Sequence, residues 1–229
     1  MSKIDELKSF SKDIKGKIFF EYDLKKTNWL NIGGVAQVYF KPESLIELVS
    51  FLKRFGSKEK IFTLGAGSNV LFKDDLLKGT VVKLGKNFSN ISLLSETTLV
   101  AGSATIDKKL SQYACENNIG GFEFLSCIPG TIGGGLKMNS GCFDREFKDI
   151  LLSIQAIDNT GKILTIPSSK IKFIYRGNNL AKDLIFLSAS FKGKFEDKHI
   201  IQNTIDFLKN KKDKSQPTKI KTGGSTFKN

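Results

Sequence analysis

The chain is poor in the residues that carry much of enzyme chemistry. Its 229 residues include one histidine, His199, in the polar run Glu196-Asp197-Lys198-His199. A lone imidazole in a solvated run argues against a Ser-His-Asp triad and against a histidine-based metal site. The cysteines Cys115, Cys127 and Cys142 are odd in number and lack C-x-x-C spacing, so reduced packing residues are expected rather than disulfides or a zinc knuckle. Arginine is equally scarce: Arg54, Arg145 and Arg176 are the whole set. The net charge of +13 therefore rests on lysines, spread along the chain rather than gathered into a stripe with interleaved aromatics. That distribution speaks against nucleic acid as a partner and suits phosphorylated small molecules. No apolar run approaches bilayer length, and no signal-peptide hydrophobic region follows the first residues. A cytoplasmic protein with no membrane partner is expected.

What is present is enough apolar residue, 40% of the chain, to bury a core in one large domain or two smaller ones. Ile4, Leu7 and Phe10 suggest a short amphipathic helix or a loosely attached terminus. An alternating run, Val35 to Phe40, follows the Gly33-Gly34 pair and reads as a strand. Pro42-Glu43-Ser44 opens a helix whose apolar face is Leu45, Leu48, Val49, Leu52 and Phe55, closed by Gly56. Ile61-Phe62-Thr63-Leu64 reads as a buried strand, with further strands near residues 80–84 and on either side of Ser95 to Thr98. A helix is expected over about 106–118, a hairpin around Asp158-Asn159-Thr160-Gly161, a strand over 184–191 and a helix from Asp197 to about Lys211.

Glycine is the motif-bearing residue. The stretch from Leu125 to Gly141 holds five glycines in seventeen residues and includes Ile128-Pro129-Gly130-Thr131-Ile132-Gly133-Gly134. Glycine lets a ligand approach the backbone and lets successive N–H groups converge on an anion. A second turn, Gly65-Ala66-Gly67-Ser68-Asn69, leaves a predicted strand directly. It lacks the third glycine of G-x-G-x-x-G, but Ser68 and Asn69 add donors suited to phosphate oxygens. Together the turns make two backbone cradles of the kind a long bis-nucleotide such as FAD needs for its pyrophosphate and ring.

Two polar motifs lie downstream. Phe173-Ile174-Tyr175-Arg176-Gly177 ends an apolar run in a guanidinium, which forks onto carboxylate or phosphate and can stabilise a developing oxyanion; a surface arginine at a strand end fits the same residues. Lys221-Thr222-Gly223-Gly224-Ser225-Thr226-Phe227-Lys228-Asn229 presents a hydroxyl after two glycines, where Ser225 could donate a proton to a reacting carbon; a polar tail fits as well.

Taken with Thr27-Asn28-Trp29-Leu30-Asn31-Ile32-Gly33-Gly34 and Met138-Asn139, these motifs resemble, in order and spacing from about Thr27 to the last residue, those of the UDP-N-acetylenolpyruvoylglucosamine reductases of peptidoglycan synthesis. The resemblance implies an α+β, FAD-binding fold of the vanillyl-alcohol-oxidase type. Its expected divisions are an N-terminal segment 1–24, an FAD-binding domain 25–195 with subdomains of about 25–85 and 86–195, and at 196–229 a linker helix with the start of a substrate domain. It implies NADPH as hydride donor to FAD and a UDP-sugar as substrate, in a monomer. Carried over position by position, Arg176 and Ser225 are the implied catalytic pair, enolate stabiliser and proton donor, with Tyr175 and Asn229 beside substrate. Gly65, Ala66, Gly67, Ser68, Asn69, Ile128, Pro129, Gly130, Thr131, Gly133 and Gly134 are the implied FAD contacts. The chain departs from the family pattern at Gly135 and Ser140, where alanine is usual, and at Lys219-Ile220-Lys221. It also stops before the family's C-terminal catalytic glutamate, so a C-terminally truncated member of the shorter subtype is expected. The alternative to an active reductase is a flavin-holding module without turnover.

Overall fold

A computed structural model describes residues 2–215. Two sheets organise them. The first combines β1 (Lys17–Asp23), β2 (Val35–Lys41), β3 (Ile61–Thr63) and β4 (Leu76–Val82) in the order β1-β2-β4-β3. β1 runs antiparallel to β2, whereas β2–β4 and β3–β4 are parallel. Parallel neighbours need a crossover, and between β2 and β3 lies α2 (Leu45–Phe55). The Ser44 hydroxyl caps α2 by accepting from the Glu47 amide at 3.2 Å, and Leu48, Phe51, Leu52 and Phe55 are its buried face. Ahead of the sheet, α1 (Lys3–Phe10) buries Leu7 and Phe10. The described part of the segment 1–24 thus holds a helix and the edge strand of this sheet, and residue 24 opens the 3-10 turn that follows β1.

The second sheet is antiparallel throughout. β5 (Ile91–Ser95) and β6 (Thr98–Gly102) form one edge, and β10 (Leu151–Ile157), β11 (Ile163–Pro167) and β14 (Ile185–Lys192) complete the order β11-β10-β14-β6-β5. Between β6 and β10 come α3 (Asp107–Glu116), the short strands β7 (Ile119–Gly120), β8 (Gly141–Cys142) and β9 (Arg145–Glu146), a 3-10 turn at Glu123–Cys127 and α4 (Ile132–Lys137). The short strands β12 (Phe173–Ile174) and β13 (Gly177–Asn178) make a hairpin before β14, and β15 (Lys194–Phe195) pairs with β7 ahead of α5 (Lys198–Ser215).

One apolar cluster lies within the second half, around Leu99, Leu110, Phe124, Ile132, Phe147, Ile154 and Phe191. Another is shared between halves: Phe10, Phe40, Phe51 and Phe55 meet in edge-on and tilted ring contacts beside Val82 of the first, and Ile157, Ile185 and Leu187 of the second sheet close it. Non-directional burial of this kind fixes the two sheets against each other, and with them the loops that leave their edges.

The glycine-rich stretch folds differently from a simple turn. Ile132–Lys137 is helical although glycine at 133, 134 and 135 costs about 1 kcal/mol each relative to alanine. Packing overrides that cost: a Cβ on Gly135 would collide with the Phe147 ring, so only glycine lets the turn seat on the core.

Candidate functional site

The first cradle grows out of β3. The ladder continues to Leu64, whose amide donates to the Val82 carbonyl at 3.0 Å, and then ends. From Gly65 to Asn69 no backbone amide finds an acceptor among the described residues. Consecutive free amides form an anion-binding surface. The loop is held from behind by the Trp29 amide, which donates to the Gly67 carbonyl at 2.9 Å. Asn28 stiffens that backing, its carboxamide donating to the carbonyls of Leu24 at 2.8 Å and Ile32 at 2.7 Å. Gly67 has φ 73° and lies so close to the Thr27 carbonyl that a side chain would not fit. Gly67 is buried, Gly65 and Ser68 are half-buried, and Ala66 and Asn69 are exposed.

The second cradle is laid alongside the strand-to-helix turn that follows β6. Ile106 and Thr131 form an antiparallel bridge, flanked by bonds from the Asp107 amide to the Gly130 carbonyl and from the Ile132 amide to the Thr105 carbonyl. The Gly133 amide adds a bond to the Ser103 carbonyl at 2.9 Å. The two cradles face each other: a Cβ on Gly65 would stand 2.6 Å from Thr131 Oγ1. Ile128 is half-buried and Pro129 exposed at the entrance, whereas Thr131 is buried and Gly130, Gly133 and Gly134 are half-buried.

Around this junction sits a set of unsatisfied polar atoms. The buried hydroxyls of Ser103, Thr105 and Thr131, and both carboxyl oxygens of Asp107, make no hydrogen bond among the described residues. A buried polar atom left alone costs on the order of 1–3 kcal/mol, so such a group calls for a ligand. Burial pushes the Asp107 carboxyl well above its usual range, toward the neutral acid that can donate a hydrogen bond. Free amides on one wall and unpaired hydroxyls on the other fit an extended phosphate-bearing cofactor, so the residues suit FAD. Ser103, Thr105 and Asp107 escaped the sequence reading. Their signal is the run Gly102-Ser103-Ala104-Thr105-Ile106-Asp107, dense in small hydroxyl residues immediately after a strand.

Arg176 occupies the tip of the β12–β13 hairpin with φ 55°, exposed, its guanidinium 5.0 Å from the centre of the Tyr175 ring. The hairpin is tied to the end of the glycine-rich stretch, because Asn178 Nδ2 donates to the carbonyls of Leu136 at 3.1 Å and Lys137 at 3.2 Å. Next to it, buried Asn139 donates to Glu146 Oε2 at 3.0 Å and accepts from the Lys148 amide at 3.1 Å. The Glu146 carboxyl is held below its usual range by hydrogen bonds from Lys148 and Asn139 and by the charges of Lys148 and Arg176. Tyr175 and Arg176 thus stand beside the second cradle's far end. Ser225 and Asn229 lie outside the described residues.

The cysteines are free, as expected, but two of them interact. A hydrogen bond from Cys142 brings the Cys127 thiol down to about 6, helped by Ser126 and by the charges of Lys212 and Lys209, while the same contact pushes the Cys142 thiol up. The two flank the glycine-rich stretch.

A fold of this kind, with paired cradles at the sheet junction, defines an FAD-binding flavoprotein domain, and the family model for the FAD binding domain matches residues 36–167. A BBE-like protein of Physcomitrella patens shares the fold at TM-score 0.58 and 17% identity, over 83% of this chain and 44% of that one. Nearer likenesses narrow the class. The UDP-N-acetylenolpyruvoylglucosamine reductase of Pelagibacter ubique is 63% identical over 99% of this chain and 75% of its own length. That of Rickettsia felis is 45% identical over 94% of this chain and 73% of its own. The crystal structure of UDP-N-acetylenolpyruvylglucosamine reductase from Thermus caldophilus superposes at TM-score 0.80 with 27% identity, covering 94% of this chain and 75% of that one. The chain belongs to the UDP-N-acetylenolpyruvoylglucosamine reductase family. It spans about three quarters of the length of these relatives.

Proposed function

We propose that the chain is the FAD-binding portion of an NADPH-dependent reductase that converts UDP-N-acetylenolpyruvoylglucosamine to UDP-N-acetylmuramate, working in the cytoplasm as a monomer. The observation that carries the reading is the facing pair of cradles, with free amides from Gly65 to Asn69 opposite the unpaired hydroxyl of Thr131. Bound FAD would supply hydride chemistry between the nicotinamide and the enolpyruvyl double bond. The chain's own residues do the rest. Amides of Gly65, Ala66, Gly67, Ser68 and Asn69 hold the pyrophosphate oxygens, and Ile128, Pro129, Gly130, Thr131, Gly133 and Gly134 form the wall against the rest of the cofactor. Arg176, exposed on a tethered hairpin, is free to fork onto the substrate carboxylate and to stabilise the negative charge that hydride addition places there. Tyr175 stacks beneath that guanidinium and orients it. Ser225 donates the proton that completes reduction of the double bond, and Asn229 contacts the substrate next to it.

The test is an anaerobic titration of purified chain in one cuvette. Flavin absorbance that bleaches with NADPH and returns on adding UDP-N-acetylenolpyruvoylglucosamine is the expected outcome. Flavin that bleaches without returning reduces the reading to a cofactor-holding module, and absence of bound flavin overturns it.

A further inference from the structure

A second pocket lies away from the paired cradles, between α3, the 3-10 turn at Glu123–Cys127 and α5. It has a volume of about 280 Å³ and is walled by Lys108, Ser111 and Gln112 of α3, Ser126 of the turn, and Gln202 and Lys209 of α5. Ser111 is 2% exposed and its hydroxyl makes no hydrogen bond among the described residues. That is unusual, because a serine inside a helix ordinarily bonds the carbonyl one turn back. It is a buried polar group in the pocket wall that still lacks a partner.

The charges around it favour an anion. Lys108 makes no ion pair among the described residues, and Lys209 has only a loose one, 3.9 Å from Asp206 Oδ1. The carboxylates nearby are held by the pocket's own glutamines: Glu116 accepts from Gln112 Nε2 at 3.1 Å and Asp206 from Gln202 Nε2 at 3.0 Å. Lys212 stands one turn further along α5 and binds the Cys127 carbonyl at 2.7 Å, pinning the helix to the turn. The unpaired hydroxyl of Ser111 and two ammonium groups, carried by α3 and α5 around a space of this size, match the acceptor oxygens of one phosphate group with a small organic body.

We propose that this pocket binds a phosphate-bearing small molecule at a site separate from the FAD cradles, bridging α3 to α5. A ligand here would fasten α5 to α3 and to the turn at Glu123–Cys127.

The experiment is isothermal titration of flavin-loaded protein with inorganic phosphate and, separately, with glycerol phosphate. Saturable binding is expected, weakened about tenfold by S111A and a hundredfold or more by K108A with K209A. A charge-matched variant, K12A with K15A, should bind as the parent does. Tighter binding of glycerol phosphate identifies an organic ligand, and equal or weaker binding identifies the free ion; both sustain the site. Absence of saturable binding, equal loss in the K12A with K15A variant, or binding that occurs only in flavin-free protein would each overturn it. Circular dichroism of each variant checks that the fold is intact, and S111A, which removes only an unbonded hydroxyl, keeps the proposal testable should the double lysine variant misfold.

Discussion

At the scale of single residues, glycines that look alike in the sequence do different work. Gly65 has ordinary backbone geometry, so alanine can adopt its conformation, but the added methyl would stand 2.6 Å from the buried Thr131 Oγ1 and fill the gap between the cradles. Gly67 has left-handed geometry, which costs a non-glycine residue about 1–2 kcal/mol before any collision with the Thr27 carbonyl. Gly65→Ala should therefore cut flavin retained through gel filtration by tenfold or more with little loss of stability, whereas Gly67→Ala should lower the urea midpoint as well. Asp107 offers a second check. Its folded pKa is raised, so the stability it contributes is fully present below its unfolded value and is lost as pH rises through the folded one. Flavin-free Asp107→Asn should match the parent in thermal melts near pH 4 and exceed it near pH 8, by on the order of 1–3 kcal/mol. A variant that is less stable at both pH values would mean that the carboxylate is ionised and paired. The glycine runs were visible in the sequence because their residues stand close together in it. Asp107 was harder to read: the hydroxyl-rich run that leads into it is visible in the sequence, but the burial of its own carboxyl at a helix start is not.

At the scale of elements, legibility followed local signals. The serine cap, apolar spacing and closing glycine of α2 are all written within a dozen residues, and the helix forms at Leu45–Phe55 as expected. α4 is hidden because its three consecutive glycines oppose helix formation locally and are justified only by Phe147 overhead. β1 is hidden for a different reason: as an edge strand in a lysine-rich start, its alternation is only partly apolar. Sheet order could not be read at all, for the parallel β2–β4 pairing depends on what α2 packs against. That packing includes a close approach of Gly56, at the end of α2, to the Asn159 carbonyl in the turn between β10 and β11. Gly161, with φ 84°, meets the Val49 carbonyl and Lys53 from the same turn. Any side chain at 56 would push the hairpin off the helix, so Gly56→Ala should destabilise the chain by about 1–3 kcal/mol, measured as a shift in urea midpoint.

At the scale of the whole molecule, the question is whether two sheets that look like separate units unfold as one. The cluster uniting Phe10, Phe40, Phe51 and Phe55 with Ile157, Ile185 and Leu187 has no surface at which to divide, since opening it would expose large aromatic side chains from one half and aliphatic ones from the other. The two glycine-rich cradles lie across the same junction, so their spacing depends on that cluster remaining closed. Trp29, the single tryptophan, sits on the backing loop of the first cradle and bonds Gly67, which makes its fluorescence a probe of the first half at the site itself. Far-ultraviolet circular dichroism draws on both halves, including the five strands of the second sheet. In urea the two signals should fall together in a single transition. Loss of Trp29 fluorescence ahead of the dichroism would show the first half opening alone, and would mean that the cradles are brought together by the cofactor rather than by the shared core.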